Sequence, residues 1–315
     1  LILSKSLKML LFILLSLFNF NPSLSLKICS FNVRSFGETK IARPEVVNAV
    51  VKIISRCDIV LLMEIKESKN RVCPLLLEKL SSQLKGSKDE YRCVVSERLG
   101  RKSYKEQYAF IYSQHLVSVK QTYQYRDTQP GDEDVFSREP FTVWFQSPKT
   151  AVKEFVIIPL HTTPETAVRE IDELYDVYLD VKQHWKTENF IFMGDFNAGC
   201  SYVPQKQWKN IRMRTYSEFI WLIGDKNDTT VKTSTSCPYD RIVVSGEKLI
   251  NAIVPHSVDI FNFQKAFRMT EEQALGVSDH FPVEFELKPK GGFFSWLKSK
   301  FSRKRRTRKG HHSRS

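Results

Sequence analysis

Strand-length, largely apolar runs recur through the chain at Leu26–Phe31, Ile59–Met63, Phe155–Leu160, Phe190–Met193, Arg241–Val244 and Phe281–Leu287. Most do not alternate with polar residues, which is the pattern of strands covered on both faces. Helical spacing appears between them. Val47, Val50, Val51 and Ile54 fall at i, i+3, i+4 and i+7 after Pro44. Val168, Ile171, Leu174, Tyr175, Tyr178 and Trp185 form a second apolar stripe after Thr163-Pro164, read as an N-cap followed by a first-turn proline. Apolar strands alternating with amphipathic helices predict an α/β fold with sheets buried on both faces. No internal repeat or low-complexity linker interrupts residues 26–287, so this body reads as one layered domain.

The two ends differ from the body. Lys5 and Lys8 precede the apolar stretch Met9–Phe18, and Pro22, Ser23 and Ser25 follow it. That order predicts a secretory signal over residues 1–25, cleaved after Ser25, because the stretch is short for a membrane span. The sequence starts at Leu1, which makes Met9 a candidate initiator. At the other end, residues 288–315 hold basic residues and no acid. Phe293, Phe294, Trp296, Leu297 and Phe301 would share one helical face, and the run Arg303–Lys309 follows. A basic amphipathic segment ending in a polycation suits an anionic membrane surface, nucleic acid or a nuclear import receptor.

Charge sharpens that contrast. Lys and Arg total 48 against 35 Asp and Glu, a formal charge of +13. The C-terminal segment carries almost all of the excess, so overall basicity says little about the body. Of the six cysteines, Cys29, Cys57, Cys73, Cys93, Cys200 and Cys237, none forms a CxxC pair, which argues against a thiolate zinc site. A secreted chain permits disulfides, with connectivity open. Cys29 and Cys57 lie in apolar runs and read equally well as buried thiols.

Polar groups collect at the ends of the apolar runs. Asn32 follows the first, Glu64 the second and His161 the third; Asp195 and Asn197 follow the fourth, Asp240 precedes the fifth, and Asp279-His280 precedes the last. One polar residue at a strand end is ordinary, but six runs in the same relation suggest a site at one edge of a sheet. GxSxG, HExxH and P-loop signatures are absent, which leaves Asp, Glu, Asn and two histidines. Oxygen donors of this kind suit Mg²⁺, Mn²⁺ or Ca²⁺. Two imidazoles suit one general base and one general acid, and together these groups describe phosphodiester hydrolysis. His115, His184, His256, His311 and His312 lie in polar, loop-like or terminal settings, so His161 and His280 are the candidates.

The segments Leu26–Glu38, Ser103–Tyr108, Phe136–Pro140, Met193–Ala198, Cys237–Ile242 and Ser278–Pro282 resemble the pancreatic-type deoxyribonuclease family, and the match runs from about residue 26 to 287. The basic tail, and the lack of a Cys-x-x-Cys loop disulfide in Gln129–Val135, place the resemblance in a secreted branch of that family. The resemblance implies a four-layer α/β/β/α sandwich and endonucleolytic cleavage of double-stranded DNA to 5′-phosphate and 3′-hydroxyl ends. By position it implies a base pair of groups, His280 with Asp240, and an acid pair, His161 with Glu106. Glu64, Asp279 and Asn32 correspond to metal or phosphate positions, as do Asp195 and Asn197. Arg34, Tyr104 and Arg138 correspond to DNA contacts, and Lys66 replaces a minor-groove arginine, keeping the charge without the planar fork. Structural Ca²⁺ is implied at Asp134, Glu139, Asp228 and Thr230, and a disulfide between Cys200 and Cys237. The segment Arg92–Val95 lacks the family's actin-contacting tyrosine, so actin inhibition is not expected. A monomer acting on chromatin or membrane-enclosed DNA is the expectation, with secretion first and the nucleus as a second destination. Asn227-Asp228-Thr229 is a glycosylation sequon. Two rival readings are a phosphodiesterase of sphingomyelin or inositol phosphates on the same fold, and a non-catalytic cationic binder.

Overall fold

The computed structural model describes residues 25–84, 90–128 and 133–291. The signal-like segment and the segment beyond Gly291 lie outside these residues. Two six-stranded sheets form the centre. The first is built from β1 (Leu26–Phe36), β2 (Ile59–Ile65), β3 (Tyr91–Val95), β4 (Gln107–Ser113), β11 (Asp259–Ile260) and β12 (Val283–Leu287), in the order β11-β12-β1-β2-β4-β3. The second holds β5 (Ser118–Gln124), β6 (Phe141–Gln146), β7 (Glu154–His161), β8 (Phe190–Asp195), β9 (Ile220–Trp221) and β10 (Asp240–Ser245), in the order β5-β6-β7-β8-β10-β9. Parallel pairing occurs at the centre of each sheet, β1 with β2 and β7 with β8.

The period-two alternation of strand side chains sorts each strand into two cores. In β7, Phe155 and Ile157 face the other sheet, where they meet Ile28, Leu61 and Phe110. Val156, Ile158 and Leu160 face outward onto α3 (Ala167–Trp185), against Ile171, Leu174, Tyr178 and Trp185. In the first sheet Cys29, Phe31, Val60 and Leu62 face α1 (Pro44–Ile54) through Val47, Val50, Val51 and Ile54, with α2 (Val72–Leu84) alongside. Three apolar layers between four layers of elements give the α/β/β/α sandwich that the resemblance implied. Each fully buried Leu, Ile, Val or Phe side chain contributes on the order of 1.5–3 kcal/mol.

Several boundaries differ from the sequence reading for local reasons. The last run begins as a strand only at Val283. Pro282 has no N–H for a ladder, and the Phe281 N–H bonds to Thr229 O instead. Thr163 caps a short 3-10 turn over Pro164–Thr166, and the α-helix starts at Ala167. The first turn is held by Glu170, whose carboxylate accepts from Thr163 N at 2.9 Å and Thr166 Oγ1 at 2.6 Å. Disulfides join Cys29 to Cys57, Cys73 to Cys93 and Cys200 to Cys237. The first pair corrects the alternative of two buried thiols; β1 and the turn after α1 bring those sulfurs together across 28 residues. Closing loops of this size is worth about 3 kcal/mol each in the chain-entropy account. Three such bridges are consistent with an oxidising compartment and hence with secretion.

Candidate active site

The C-terminal ends of β1, β2, β7 and β8, the start of β10 and the turn before β12 meet at one edge of the sandwich. Asn32 is fully buried, and its Nδ2 donates to Glu64 Oε1 and to Asp195 Oδ2, both at 3.1 Å. One amide therefore ties carboxylates of both sheets together. Glu64 leaves the ladder through a register shift with φ +58°, which turns its carboxylate to accept from Ser35 N at 2.7 Å. Gly194 sits at φ +148° where a Cβ would lie 2.0 Å from Leu160 O, so only glycine lets β7 and β8 close up beside His161 and Asp195.

Each histidine is held by its own carboxylate. His161 Nδ1 lies 2.6 Å from Glu106 Oε1, and His280 Nδ1 lies 2.7 Å from Asp240 Oδ2. An Nδ1–H donated to a carboxylate fixes the ring and turns Nε2 toward the site. The two Nε2 atoms then converge: His161 Nε2 is 3.7 Å and His280 Nε2 is 3.4 Å from the same atom, Asp195 Oδ2. Burial opposes charge on both rings, yet Glu106 raises the pKa of His161, and Asp240 with Asp195 raises that of His280 well above its usual value. Glu106 is also buried, but His161 and Arg138 hold its carboxyl down to about 2.

The supporting contacts were not readable from pattern. Ser278 Oγ donates to Asn32 O at 2.6 Å and accepts from His280 N at 3.1 Å, locking β1 to the His280 turn. The Tyr108 hydroxyl accepts from His161 N at 2.9 Å. Thr229 Oγ1 accepts from Asp240 N at 3.1 Å. Asn197 donates its backbone N–H to Asp195 Oδ1 at 3.0 Å and its amide to Thr162 O at 3.1 Å. No periodicity signals these side chains, because the bonds that join elements, such as Ser278 to Asn32 and Tyr108 to His161, run between residues far apart in sequence.

The remaining residues divide. Tyr104 is exposed beside the acid pair, with Lys66 Nζ 4.0 Å and the Arg138 guanidinium 5.7 Å from its ring. Arg138 is largely buried; its Nε lies 2.9 Å from Glu106 Oε1 and its Nη1 donates to His161 O at 3.0 Å, so it braces His161 from behind. Arg34 is half exposed, 3.5 Å from Asp279 Oδ2. Among the described residues, the tight cluster of acidic and imidazole ligand atoms is Asp195, Asp240 and His280, while Glu64 and Asp279 stand at its margin. Asp134 pairs with Arg101 rather than with Glu139. Asp228 Oδ1 accepts from Thr230 N and Oγ1 and from Cys237 N, closing the turn that carries Thr229. In both places the carboxylate oxygens named are already engaged within the protein. Asn32, Glu64, Asp195 and Asp279 fit a divalent cation better: clustered oxygen donors suit a hard ion, and closely held carboxylates repel one another without a positive charge among them.

The sequence of residues 29–280 matches the model of the Endonuclease/Exonuclease/phosphatase family. Human deoxyribonuclease gamma is 61% identical over 93% of this chain and 96% of its own length. Rat deoxyribonuclease-1 is 50% identical over 88% of this chain and 96% of its own. Among solved structures, an endonuclease/exonuclease/phosphatase from Bacteroides vulgatus superposes with TM-score 0.56 at 15% identity, covering 84% of this chain and 99% of that one. The human Nocturnin catalytic domain, solved with a bound sulfate anion, gives the same TM-score at 14% identity, covering 86% of this chain and 95% of that one. These two establish the shared fold, and the closer sequence relatives establish the branch. The chain belongs to the endonuclease/exonuclease/phosphatase family, on its deoxyribonuclease branch.

Proposed function

We propose that this chain is a secreted, divalent-metal-dependent DNA endonuclease that works by paired histidine acid–base catalysis. The observation that carries the reading is the convergence of two carboxylate-held imidazoles on Asp195 Oδ2, one from each side. A phosphodiester bound there would be flanked by both Nε2 atoms. In the forward step, water attacks phosphorus and gives its proton to His280 Nε2, with Asp240 stabilising the imidazolium. The bond to the 3′ oxygen breaks, and that oxygen takes a proton from His161 Nε2, held charged by Glu106. The products are a 5′-phosphate and a 3′-hydroxyl, with one proton accepted and one donated. Glu64, Asp279 and Asn32, beside Asp195, would hold Mg²⁺ or Mn²⁺. When bound, that ion supplies positive charge to the non-bridging oxygens and opposes the extra proton on His280. Asn197, whose amide is held by Thr162, would lie beside the bound phosphate. Arg34, Lys66 and Tyr104 would meet the flanking backbone, while Arg138 acts from behind by holding Glu106 and His161 in place. A Ca²⁺ ion at Asp134 would compete with the Arg101 guanidinium, so the proposal gives calcium no part in the step.

Supercoiled plasmid is the direct test. With Mg²⁺ or Mn²⁺ the purified chain should produce nicked circles with 3′-hydroxyl ends, and excess chelator should abolish them. Nicking that survives the chelator, or faster hydrolysis of sphingomyelin or inositol phosphates than of DNA, would overturn the reading.

Secretion, action on chromatin or vesicle-enclosed DNA, and use of the basic tail on anionic membranes or an import receptor complete the proposal. The described body is paired through Lys290, whose N–H bonds to Lys149 O, and truncation after Gly291 retains that bond. The truncated chain should cut naked plasmid at a near-normal rate and cut lipid-coated DNA more slowly. Equal loss on both substrates would assign the tail to general DNA affinity.

A further inference from the structure

The histidines stand where β7 and β8 end, and a groove of about 820 Å³ opens where these strands begin. It is lined by Glu154 at the start of β7, Asn189 just before β8, Lys153 in the turn before β7, Lys248 and Lys290. At about 3.3 Å per residue, the length of β7 puts it roughly 20–25 Å from the catalytic edge. Its charge is one-sided. Lys153, Lys248 and Lys290 are exposed, and Glu154 is the one acid among the described lining residues; its carboxylate is already paired with Lys120 at 3.2 Å. Exposed lysines such as Lys153 and Lys248 around one concavity give it a positive potential that attracts an anion.

We propose that this groove is a second, non-catalytic binding site for the phosphodiester backbone of a DNA segment other than the one being cut. The shape favours nucleic acid over a membrane: a duplex presents a convex ridge of phosphates to a concave site, whereas a bilayer is flat and rewards protruding apolar side chains, which this lining does not offer. The chain leaves the groove at Lys290, and the next 25 residues carry nine Lys or Arg, from Lys298 onward, and no acid. A straight duplex lying across the histidines cannot bend around to the opposite end within a dozen base pairs, because DNA stays stiff over about 150 base pairs. The groove therefore engages a neighbouring segment, and matters most where DNA is packed. The inference rests on the DNA reading only for the identity of the polymer.

The test compares the full chain with its Lys153→Gln/Lys248→Gln variant. In chelator, so that nothing is cut, binding to a duplex of about 200 base pairs is measured between 50 and 200 mM salt. Two lost phosphate contacts should lower the slope of log affinity against log salt by about two and weaken binding several-fold at the low-salt end. Metal-dependent cutting of a 12-base-pair duplex should keep its kcat. An unchanged slope, or loss of binding to phosphatidylserine vesicles with DNA binding intact, would overturn the second site. Failure of the unsubstituted chain to cut the short duplex would instead overturn the DNA reading itself.

Discussion

Replacing His280 by Ala is expected to lower kcat on plasmid by two to four decades, about 3–5 kcal/mol of transition-state stabilisation, and His161→Ala by a similar amount. Each ring is the one group with its Nε2 turned to that side of Asp195 Oδ2, so water supplies a poor substitute. The two variants should differ in stability. His161→Ala leaves Glu106 next to Arg138 at 2.9 Å, which still answers its charge. His280→Ala leaves Asp240 fully buried without its imidazole, with Oδ1 already unpartnered. A lost charge-assisted partner there costs roughly 1–3 kcal/mol. Adding Asp240→Asn to His280→Ala removes the stranded carboxylate, so the double variant should recover thermal stability without recovering activity. Because the two imidazoles act on one event, removing both should cost far less than the product of the single losses. A single-histidine variant that turns over within tenfold of the parent would remove that histidine from the mechanism.

How much of this was legible follows from where the free energy sits. The doubly buried runs announced the central strands, and the polar residues at their ends announced the site; Asn32, Glu64, His161, Asp195, Asp240 and His280 do meet at one edge. Strands β3 to β6 were not among the runs read: β5 and β3 lie at sheet edges with mixed sequence, whereas β4 and β6 are buried but carry Gln, Tyr, Ser or Thr among their apolar residues. Glu106 was reached through family resemblance rather than pattern, since it sits in an isolated bridge with Leu99, one residue ahead of β4. Arg138 was read as a DNA contact, and its burial behind His161 is invisible in sequence because it depends on Glu106 arriving from 32 residues upstream. Beyond the Cys200–Cys237 bridge that the resemblance implied, disulfide connectivity was likewise open until the strand order fixed which sulfurs are neighbours. What a sequence hides here is the cross-chain partner of a polar group, because the pairing is set by topology and not by local spacing.

The largest stability effect outside the site is expected at Glu284, in the middle of β12. Its side chain is almost fully buried, yet it receives Lys27 Nζ at 2.6 Å and both Arg56 terminal nitrogens at 2.7 and 2.8 Å. Those bonds tie β12 to β1 and to the turn after α1, beside the Cys29–Cys57 bridge. Burial favours the neutral acid, but Arg56 and Lys27 overcome it and hold the Glu284 pKa below its ordinary value. A carboxyl lowered on folding stabilises the native state above the unfolded-state pKa, and that contribution fades as pH falls through the folded value. Glu284→Gln should therefore cost about 2–4 kcal/mol at pH 7, toward the lower end because Arg56 and Lys27 retain some access to water. In urea titrations the gap between parent and variant should narrow steadily as pH drops from 5 toward 3. A gap that stays constant over that range would mean the carboxylate charge contributes nothing and only its shape matters. The consequence reaches the site: His280 lies three residues ahead of β12, in a turn locked to Asn32 through Ser278, so loosening β12 should slow DNA cutting at mild acid before the whole domain unfolds.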